Sequence, residues 1–229
     1  MSKAIFWDFH NTLVYTKTPR MWTSALLKVL AAQGITPDED VLRRHVHNCC
    51  PWDAPDEDWT AIVGAAFWPY VFTRFDALYR EVGFESGTAP LNTAVRATVI
   101  DPASYVLFDD TLSTLRECER LGFSNHVLSN NYPEMEDVLR DLGIRELFGE
   151  VVVSGLVGYD KPRRELFAHA RSVAGNPEVC IMVGDNPAAD IQGGNAAGMT
   201  TILVHNDVSC GADYVCATLG EVAVVLRGL

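Results

Sequence analysis

A short apolar run near the start of the chain, residues 5–7, ends abruptly at Asp8 and is followed by a polar, turn-forming segment. Such short runs are typical of a strand that is buried on both faces of a parallel sheet. In an open α/β sheet, ligands bind just beyond the carboxyl ends of the strands. The pattern therefore predicts that Asp8 lies at the mouth of a ligand site, with His10 and Thr12 on the loop that follows.

The second half of the chain alternates between strand and helix patterns. Strands are predicted at residues 125–128, 151–154, 179–183, 200–204 and 214–216, and helices at residues 111–121, 134–142, 163–173, 189–197 and 219–226. This alternation is typical of a parallel sheet that carries helices on both faces. The predicted fold class is therefore α/β, with a Rossmann-like core.

Residues 18–100 differ from the rest, because they show no alternation of the strand type. Helical patterns begin at Met21, at Thr36 as a capping residue followed by Pro37, at Trp59 with a kink expected at Pro69, and at Asn92. We expect a core formed by residues 1–17 and 101–229 and an all-helical cap formed by residues 18–100. A cap inserted directly after the Asp8 loop would suit a lid that excludes water from the site.

The composition limits the possible partners. The 229-residue chain carries a formal net charge of -12, which argues against non-specific binding to nucleic acid or to an anionic membrane. No leader or membrane-spanning run is evident, so the expected location is the cytoplasm. The oligomeric state cannot be inferred from the sequence.

The cysteines form no C-x-x-C pair, and in a cytosolic chain they are expected to be free thiols. His45, His47, Cys49 and Cys50 could suggest a zinc site. However, no second ligand pair of the usual spacing follows, so the polar end of an amphipathic helix is the preferred interpretation.

Polar side chains follow several of the predicted strands. Asp8, His10 and Thr12 follow the first strand, Ser129 and Asn130 the next, Lys161 the third, and Asp185 and Asp190 the fourth. Because the carboxyl ends of parallel strands meet at one edge of the sheet, these side chains are expected to converge. The expected site combines carboxylates with one lysine and one serine hydroxyl.

In this order, the motifs resemble those of the haloacid dehalogenase-like (HAD) superfamily. The family pattern D-x-D-x-T corresponds to residues 8–12, the Ser or Thr that ends a strand to Ser129, the lysine to Lys161 before Pro162, and G-D-x-x-x-x-D to residues 184–190. Each motif alone is weak, but together they cover nearly the whole core. The inserted helical segment resembles the subgroup that contains phosphoglycolate phosphatase, β-phosphoglucomutase and the haloacid dehalogenases.

The resemblance implies a Mg²⁺-dependent phosphatase that acts on a small phosphorylated metabolite. Asp8 would be the nucleophile and would form an aspartyl-phosphate. Mg²⁺ would be held by Asp8, the backbone carbonyl of His10 and Asp185, with Asp190 close by or acting through water.

The resemblance also implies a phosphate-binding set. Ser129 and Lys161 would hold the transferring oxygens, and Lys161 would in addition offset the carboxylates. Asn130 belongs to the same set, and Thr12 would orient the loop. For the substrate itself, the candidates in or near the cap are Arg20, Trp22, Arg43, Arg44, Tyr70 and Arg74, although most such side chains lie on the surface or pack between helices.

The sequence departs from the family pattern at His10. Phosphatases of the family carry a second Asp there, which protonates the leaving alcohol and then activates water. Histidine is a common general acid and base, but it is longer than Asp, and a neighbouring Mg²⁺ disfavours its cationic form. Three outcomes remain open: a working replacement, a slow enzyme that traps its aspartyl-phosphate, or a phosphate- or metabolite-binding protein without turnover.

A metal-independent 2-haloacid dehalogenase is the other enzyme that the sequence allows. In that reaction the nucleophilic Asp attacks carbon, and the dipeptide Ser129-Asn130 resembles the second motif of the dehalogenases. A metal-free site has no use for the pair Asp185 and Asp190, which favours the phosphatase.

Overall fold

The computed structural model describes residues 2–46, 49–85 and 87–229. A six-stranded parallel sheet forms the centre of the fold, with strand order β5-β4-β1-β6-β7-β8. Its strands are β1 (Lys3–Trp7), β4 (Phe123–Ser129), β5 (Val151–Val153), β6 (Val179–Gly184), β7 (Thr200–Val204) and β8 (Tyr214–Cys216). The predicted strands are thus confirmed, with small shifts at their ends.

Strand β1 lies in the middle of the sheet, between β4 and β6. Trp7, its last residue, is in register with Val127 on one side and Val183 on the other. Successive side chains of a strand point to opposite faces, so Ile5 and Trp7 enter one apolar cluster while Ala4 and Phe6 enter a second one. Both clusters are buried, as expected of a sheet with helices on both faces.

The helices that follow the strands of the core are α5 (Thr111–Arg120), α6 (Met135–Asp141), α7 (Ser154–Val157), α8 (Arg164–Val173), α9 (Gly193–Ala196) and α10 (Leu219–Leu226). The helix expected at residues 189–197 differs from its prediction. It begins as a π-helical turn from Pro187 to Gln192 and continues as α9. The side chain of Asn186 caps this turn by accepting hydrogen bonds from the Ala188 and Ala189 N–H groups.

The insert contains α1 (Met21–Ala31), α2 (Glu39–Val46), α3 (Phe67–Glu81) and α4 (Ala89–Ile100), with short 3₁₀ turns between α2 and α3. No strand occurs among the described residues from 18 to 100. Thr36 is not the cap that the sequence suggested, because α2 starts at Glu39 and the Asp38 carboxylate accepts a hydrogen bond from the Asp40 N–H. Pro69 does not cause the expected kink, because it lies in the first turn of α3. Backbone N–H groups in the first turn have no partner within the helix, so the missing N–H of proline costs no hydrogen bond there.

A second, two-stranded sheet was not predicted. Strand β2 (Val14–Thr16) pairs antiparallel with β3 (Tyr105–Leu107) and so joins the two points where the chain enters and leaves the insert. Three-residue strands are too short to show alternation, and the segment after Leu13 therefore looked like a loop. This small sheet also fixes where the Asp8 loop ends.

Two further expectations concern cysteines and the membrane. The cysteines of the described residues are all free thiols, as predicted. Among the described helices, none combines the length and the apolar character needed to cross a bilayer. The division into core and cap at residues 17/18 and 100/101 stays a prediction.

Candidate active site

The predicted site residues meet in a cleft of about 330 Å³ at the carboxyl edge of the sheet. The cleft is lined by Asp8, His10, Asn11, Trp52, Pro55, Ser129, Asn130, Lys161, Pro162, Asp185, Asn186, Ala188, Ala189 and Asp190. The predicted convergence is therefore seen for every predicted site residue except Thr12, which lies beside the cleft.

A buried ion-pair cluster forms the floor of this cleft. The Lys161 ammonium donates to Asp8 Oδ1 at 2.8 Å, to Asp190 Oδ1 at 2.6 Å and to the Leu128 carbonyl at 2.8 Å. The side chains of Lys161 and Asp190 are 2% and 0% exposed. Burial alone would lower the pKa of Lys161, but Asp190 and Asp8 outweigh it, so the pKa is raised and the ammonium stays charged.

Asn130 holds the backbone of Lys161 in place. Its Nδ2 donates to the Lys161 carbonyl at 3.0 Å, and its Oδ1 accepts from the Lys161 N–H at 2.7 Å. The side-chain amide of Asn130, which was predicted to bind phosphate, thus forms hydrogen bonds with the backbone of Lys161. This contact joins the ends of β4 and the loop before α8.

Asp185 lies on the opposite side of Asp8, at the end of β6. Its Oδ1 accepts a long hydrogen bond of 3.4 Å from the Thr12 hydroxyl, and its backbone carbonyl accepts from Asn206 Nδ2 at 2.9 Å. Burial, followed by the nearby charges of Asp8 and Asp190, raises the pKa of Asp185 to about 7. Thr12, beside the cleft, therefore helps to orient the Asp185 carboxylate.

Asp190 depends on the absence of a side chain at Gly184. A Cβ atom on Gly184 would lie 2.1 Å from Asp190 Oδ2. The carboxylate instead packs against the backbone of Gly184 and accepts a hydrogen bond from the Asn186 N–H at 2.9 Å. Burial raises the pKa of Asp190, and the charge of Lys161 opposes this effect.

His10 stands apart from the ion-pair cluster. Its ring lies 5.1 Å from the Phe9 ring and 5.4 Å from the Tyr105 ring, and burial lowers its pKa although Asp8 acts in the opposite direction. Asn131 Nδ2 lies 3.3 Å from His10 Nδ1.

The orientation of the Asn131 amide follows from its other contact. Its Oδ1 accepts from the Tyr132 N–H at 3.0 Å, and a backbone N–H can only donate. The NH₂ group therefore faces His10, which must accept at Nδ1 and carry its proton on Nε2. The same NH₂ group lies 3.5 Å from the buried Ser129 hydroxyl.

Three residues of the site escaped the sequence analysis. Asn131 directly follows Asn130 at a strand end, so a signal was present, although its role depends on a contact with the distant His10. Trp52 and Pro55 come from a Pro- and Trp-rich loop that carried no motif. None of the arginines suggested as substrate contacts lines the cleft, and Arg43 and Arg74 instead pair with Asp40 and Tyr70 on the exposed surface.

The carboxylates also meet the requirements of a divalent cation. Oxygen atoms of Asp8, Asp185 and Asp190 all lie within 4.8 Å of one another. Mg²⁺ prefers carboxylate oxygens together with several water molecules. The donor set therefore fits Mg²⁺, with room for solvent on the open side of the cleft.

Comparisons of the sequence with characterised proteins found phosphatases and related hydrolases. The glyceraldehyde 3-phosphate phosphatase of Methanothermobacter thermautotrophicus is 28% identical over 216 residues, which cover 91% of this chain and 88% of that protein. The human haloacid dehalogenase-like hydrolase domain-containing protein 3 is 36% identical over 117 residues. That second match covers 51% of this chain and about half, 47%, of the human protein.

Comparisons of the structure reach across nearly the whole chain. The HAD-hydrolase YfnB of Bacillus subtilis, solved with bound magnesium, matches 99% of both chains with a TM-score of 0.73 and 22% identity. The L-2-haloacid dehalogenase of Xanthobacter autotrophicus matches 100% of both chains with a TM-score of 0.70 and 17% identity. The shared fold does not separate these two chemistries.

The decisive match is to a family. The model of the haloacid dehalogenase-like hydrolases matches residues 2–198, a range that includes the whole of β1, the insert and every residue that lines the cleft. The chain belongs to the haloacid dehalogenase-like hydrolase family.

Proposed function

We propose that this protein is a Mg²⁺-dependent phosphatase that hydrolyses a small phosphorylated metabolite through an aspartyl-phosphate. The observation that carries the proposal is the arrangement at the cleft floor. Asp8 is held by a buried lysine at 2.8 Å, and its oxygens lie within 4.8 Å of those of Asp185 and Asp190. A carboxylate so placed is held in a fixed orientation, as a nucleophile must be.

In the first step, an Asp8 oxygen attacks phosphorus, and the bond between phosphorus and the leaving oxygen breaks. Lys161 and the Ser129 hydroxyl would hold the non-bridging oxygens, whose charge would otherwise repel the attacking carboxylate. In the second step, water attacks the aspartyl-phosphate, which releases phosphate and restores Asp8. The first step needs a carboxylate to approach an anionic phosphoryl group, and the second needs water to attack that anionic group and give up a proton.

A cation held by Asp8, Asp185 and the His10 carbonyl, with Asp190 close by, would neutralise the charge that develops on the transferred phosphoryl group. Both oxygens of Asp190 accept hydrogen bonds, from Lys161 and from the Asn186 N–H. Lys161 contacts only Oδ1 of Asp8, so Asp8 and Asp185 are the more available ligands. The relatives named for glyceraldehyde 3-phosphate, phosphoserine and pyrimidine 5'-nucleotides support a small phosphomonoester as the substrate. The magnesium in the related YfnB supports the choice of metal.

The insert would serve as a cap over this site. Trp52 and Pro55, both from the insert, form part of the cleft wall. The chain therefore supplies an apolar surface opposite the charged floor, and closing the two surfaces on a substrate would exclude water. The modest volume of the cleft favours a small substrate.

His10 would limit the rate of turnover. A neutral imidazole with its proton on Nε2 donates a hydrogen bond, but it is a poor acid and has no free lone pair on Nε2 with which to activate water. Asn131 stabilises this form by donating to Nδ1. We therefore expect hydrolysis to be fastest for substrates whose leaving group needs no proton.

The primary test is hydrolysis of an aryl phosphate and of a panel of phosphorylated metabolites. Activity should require Mg²⁺ and should be lost in Asp8→Asn, whereas the matched surface variant Asp137→Asn should retain it. Mass spectrometry of the denatured protein should detect a phosphoryl group on Asp8. Activity that persists in Asp8→Asn would refute the proposed nucleophile.

A second test separates catalysis from binding. The variant His10→Asp should accelerate hydrolysis of alkyl phosphates far more than that of aryl phosphates, because only the alkoxide needs a proton as it leaves. Equal effects on both substrates would show that His10 does not limit protonation.

The alternative favoured by the Asn131–His10 contact is a phosphate- or metabolite-binding protein with little turnover. It predicts that Mg²⁺ and phosphate bind while no member of the metabolite panel is hydrolysed. A 2-haloacid dehalogenase instead predicts halide release without any metal. The clustered carboxylates argue against that reaction, because Asp185 would have no role in a site that binds no metal.

A further inference from the structure

A second group of metal-binding side chains lies in the insert, outside the cleft. The side chains of Cys49, Cys50 and Asp53 each place a possible ligand atom within 4.8 Å of the others. The two sulfur atoms are 3.5 Å apart, and both cysteines are buried, with exposed fractions of 2% and 3%. No role in the proposed phosphatase reaction uses any of these residues.

The backbone holds this group together. The Asp53 carboxylate accepts a hydrogen bond from the Cys50 N–H at 3.1 Å, and the Asp53 N–H donates to the Cys50 carbonyl at 3.1 Å. A short 3₁₀ turn, Pro51–Asp53, therefore folds the carboxylate back towards the thiols. These main-chain contacts hold the Asp53 carboxylate near the two thiols in the absence of a metal.

The charge of a buried carboxylate in the core acts on the same cluster. Asp160 is 0% exposed, and among the described residues neither of its oxygens has a hydrogen-bond partner. The nearby Ser154 hydroxyl is engaged with the backbone of Asn131. A fully buried carboxylate without a partner is unusual, because its desolvation is not compensated.

The charges of Asp160 and of the cluster act on each other, although Asp160 lies outside the group of ligand atoms within 4.8 Å of one another. Burial, opposed by Ser154 and reinforced by the charge of Asp53, raises the pKa of Asp160 to about 6. Burial, contact with Cys49, and then the charges of Asp53 and Asp160 raise the pKa of the Cys50 thiol. The nearest cations are committed elsewhere, since Lys161 pairs with Asp8 and Asp190, and Arg163 pairs with Glu165.

We propose that Cys49, Cys50 and Asp53 form a site for a thiophilic divalent cation of the zinc type. Zinc is bound tetrahedrally by thiolates at about 2.3 Å, so two ligating sulfurs lie about 3.8 Å apart, which is close to the separation in this structure. Binding would replace two S–H bonds by two metal–sulfur bonds and release both protons to solvent. The positive charge of the cation would also offset the negative charge of Asp160, which acts on Cys50.

His45 is not part of the proposed site. Its Nε2 pairs with Glu81 at 2.7 Å, and His47, the other histidine that the sequence suggested, lies outside the described residues. The proposed ligand set is therefore two thiolates and the exposed Asp53 carboxylate, with solvent as the fourth ligand of a tetrahedral cation.

The location gives the site a consequence for the cleft. The insert and the core already touch here, because the Trp59 N–H donates to the Gly158 carbonyl at 3.1 Å and Arg163 donates to the Glu57 carbonyl at 2.7 Å. Trp52, which lines the cleft, lies between Cys50 and Asp53 in the sequence, and Asp160 directly precedes Lys161. A cation would thus stabilise the turn Pro51–Asp53, which carries Trp52 of the cleft wall.

Cobalt substitution of the full-length protein tests the proposal, because a thiolate-to-cobalt charge-transfer band reports sulfur ligation and cannot come from the carboxylates of the cleft. Zn²⁺ should bind at one cation per chain in the presence of excess Mg²⁺, and Co²⁺ should give the charge-transfer band together with the visible bands of a tetrahedral site. Both signals should disappear in the double variant Cys49→Ser/Cys50→Ser. They should be unchanged in Cys118→Ser, which replaces a buried thiol elsewhere in the core.

A milder variant keeps the test valid if the double variant fails to fold. Asp53 is exposed, so Asp53→Asn should fold normally and should weaken Zn²⁺ binding by at least about tenfold, since even groups that only orient a ligand contribute that much. Asp160→Asn should lower the affinity similarly. The absence of the charge-transfer band in the wild-type protein, or its persistence in the double variant, would overturn the proposal.

Discussion

Removing the charge of Lys161 tests the electrostatic account of the cleft most directly. Lys161→Met keeps most of the volume of the side chain but removes the ammonium that contacts Asp8 and Asp190. Both carboxylates then remain at the cleft floor without a cation. The substitution should therefore lower the free energy of unfolding of the metal-free protein by far more than the loss of an ordinary surface ion pair.

The size of the loss follows from the distances. Two ionised carboxylates whose oxygens lie within 4.8 Å of each other repel each other by at least about 3.5 kcal/mol at an effective dielectric constant of about 20. Removal of one partner from a buried ion pair typically costs about 3–5 kcal/mol. We therefore expect a loss of about 3–5 kcal/mol at pH 8.

The loss should shrink in acid. Without Lys161, the pKa of Asp190 rises further above the ordinary value of about 3.9, because the group that opposed its burial is gone. Between that value and the raised pKa, the folded protein binds a proton that the unfolded chain does not bind. The stability of the variant therefore falls as the pH rises through this window and recovers as the pH falls.

Urea unfolding at pH 8 and pH 5, with a chelator present, measures both effects. The matched control is Arg140→Met, which removes one cation from the exposed pair with Asp137 and should cost at most about 1 kcal/mol. A loss below about 1 kcal/mol in Lys161→Met at pH 8, or a loss that is equal at both pH values, would refute the reasoning.

Three further outcomes are expected. Gly184→Ala should abolish activity and cost about 1–3 kcal/mol or more, because its Cβ would overlap the Asp190 carboxylate, whereas Gly220→Ala, with no atom closer than 3.7 Å, should be neutral in urea unfolding. The metal-free wild-type protein should become less stable as the pH rises from about 4 to about 7, because burial raises the pKa of Asp185 to about 7 in the folded state. Saturating Mg²⁺ should remove this pH dependence of the free energy of unfolding in the same assay. Trp52→Ala should raise KM more than it lowers kcat in steady-state kinetics, because Trp52 lines the cleft but contacts none of the groups that react.

The sequence predicted the sheet well because its strands are short, apolar and separated by amphipathic helices. Each of these signals is local, and burial on both faces of β1 leaves a clear apolar run. The strands β2 and β3 escaped detection because they are three residues long and lie 88 residues apart at their closest ends. Their pairing depends on the insert, and no local pattern reports it.

The meeting of the site residues could be predicted from the sequence as well as the sheet could. Asp8, Lys161 and Asp190 each follow a strand, and parallel strands bring their carboxyl ends to one edge. Their convergence could therefore be expected from the sequence alone. The different contacts of the adjacent residues Asn130 and Asn131 could not be predicted. Asn130 holds the backbone of Lys161 while Asn131 reaches His10, and two adjacent amides of the same type carry no sign of this difference.

The structure also separates the two questions that the site raises, whether it binds phosphate and whether it turns substrate over. The groups that would bind phosphate and metal form one charged cluster around Lys161, and changing any of them disturbs the others. The His10 side chain instead packs against Phe9 and Tyr105, and Asn131 donates the hydrogen bond that joins it to the polar network. A substitution at His10 should therefore change turnover while leaving Mg²⁺ and phosphate affinity nearly unaltered. The acid–base capacity of this protein can thus be varied on its own, without dismantling the site that holds the substrate.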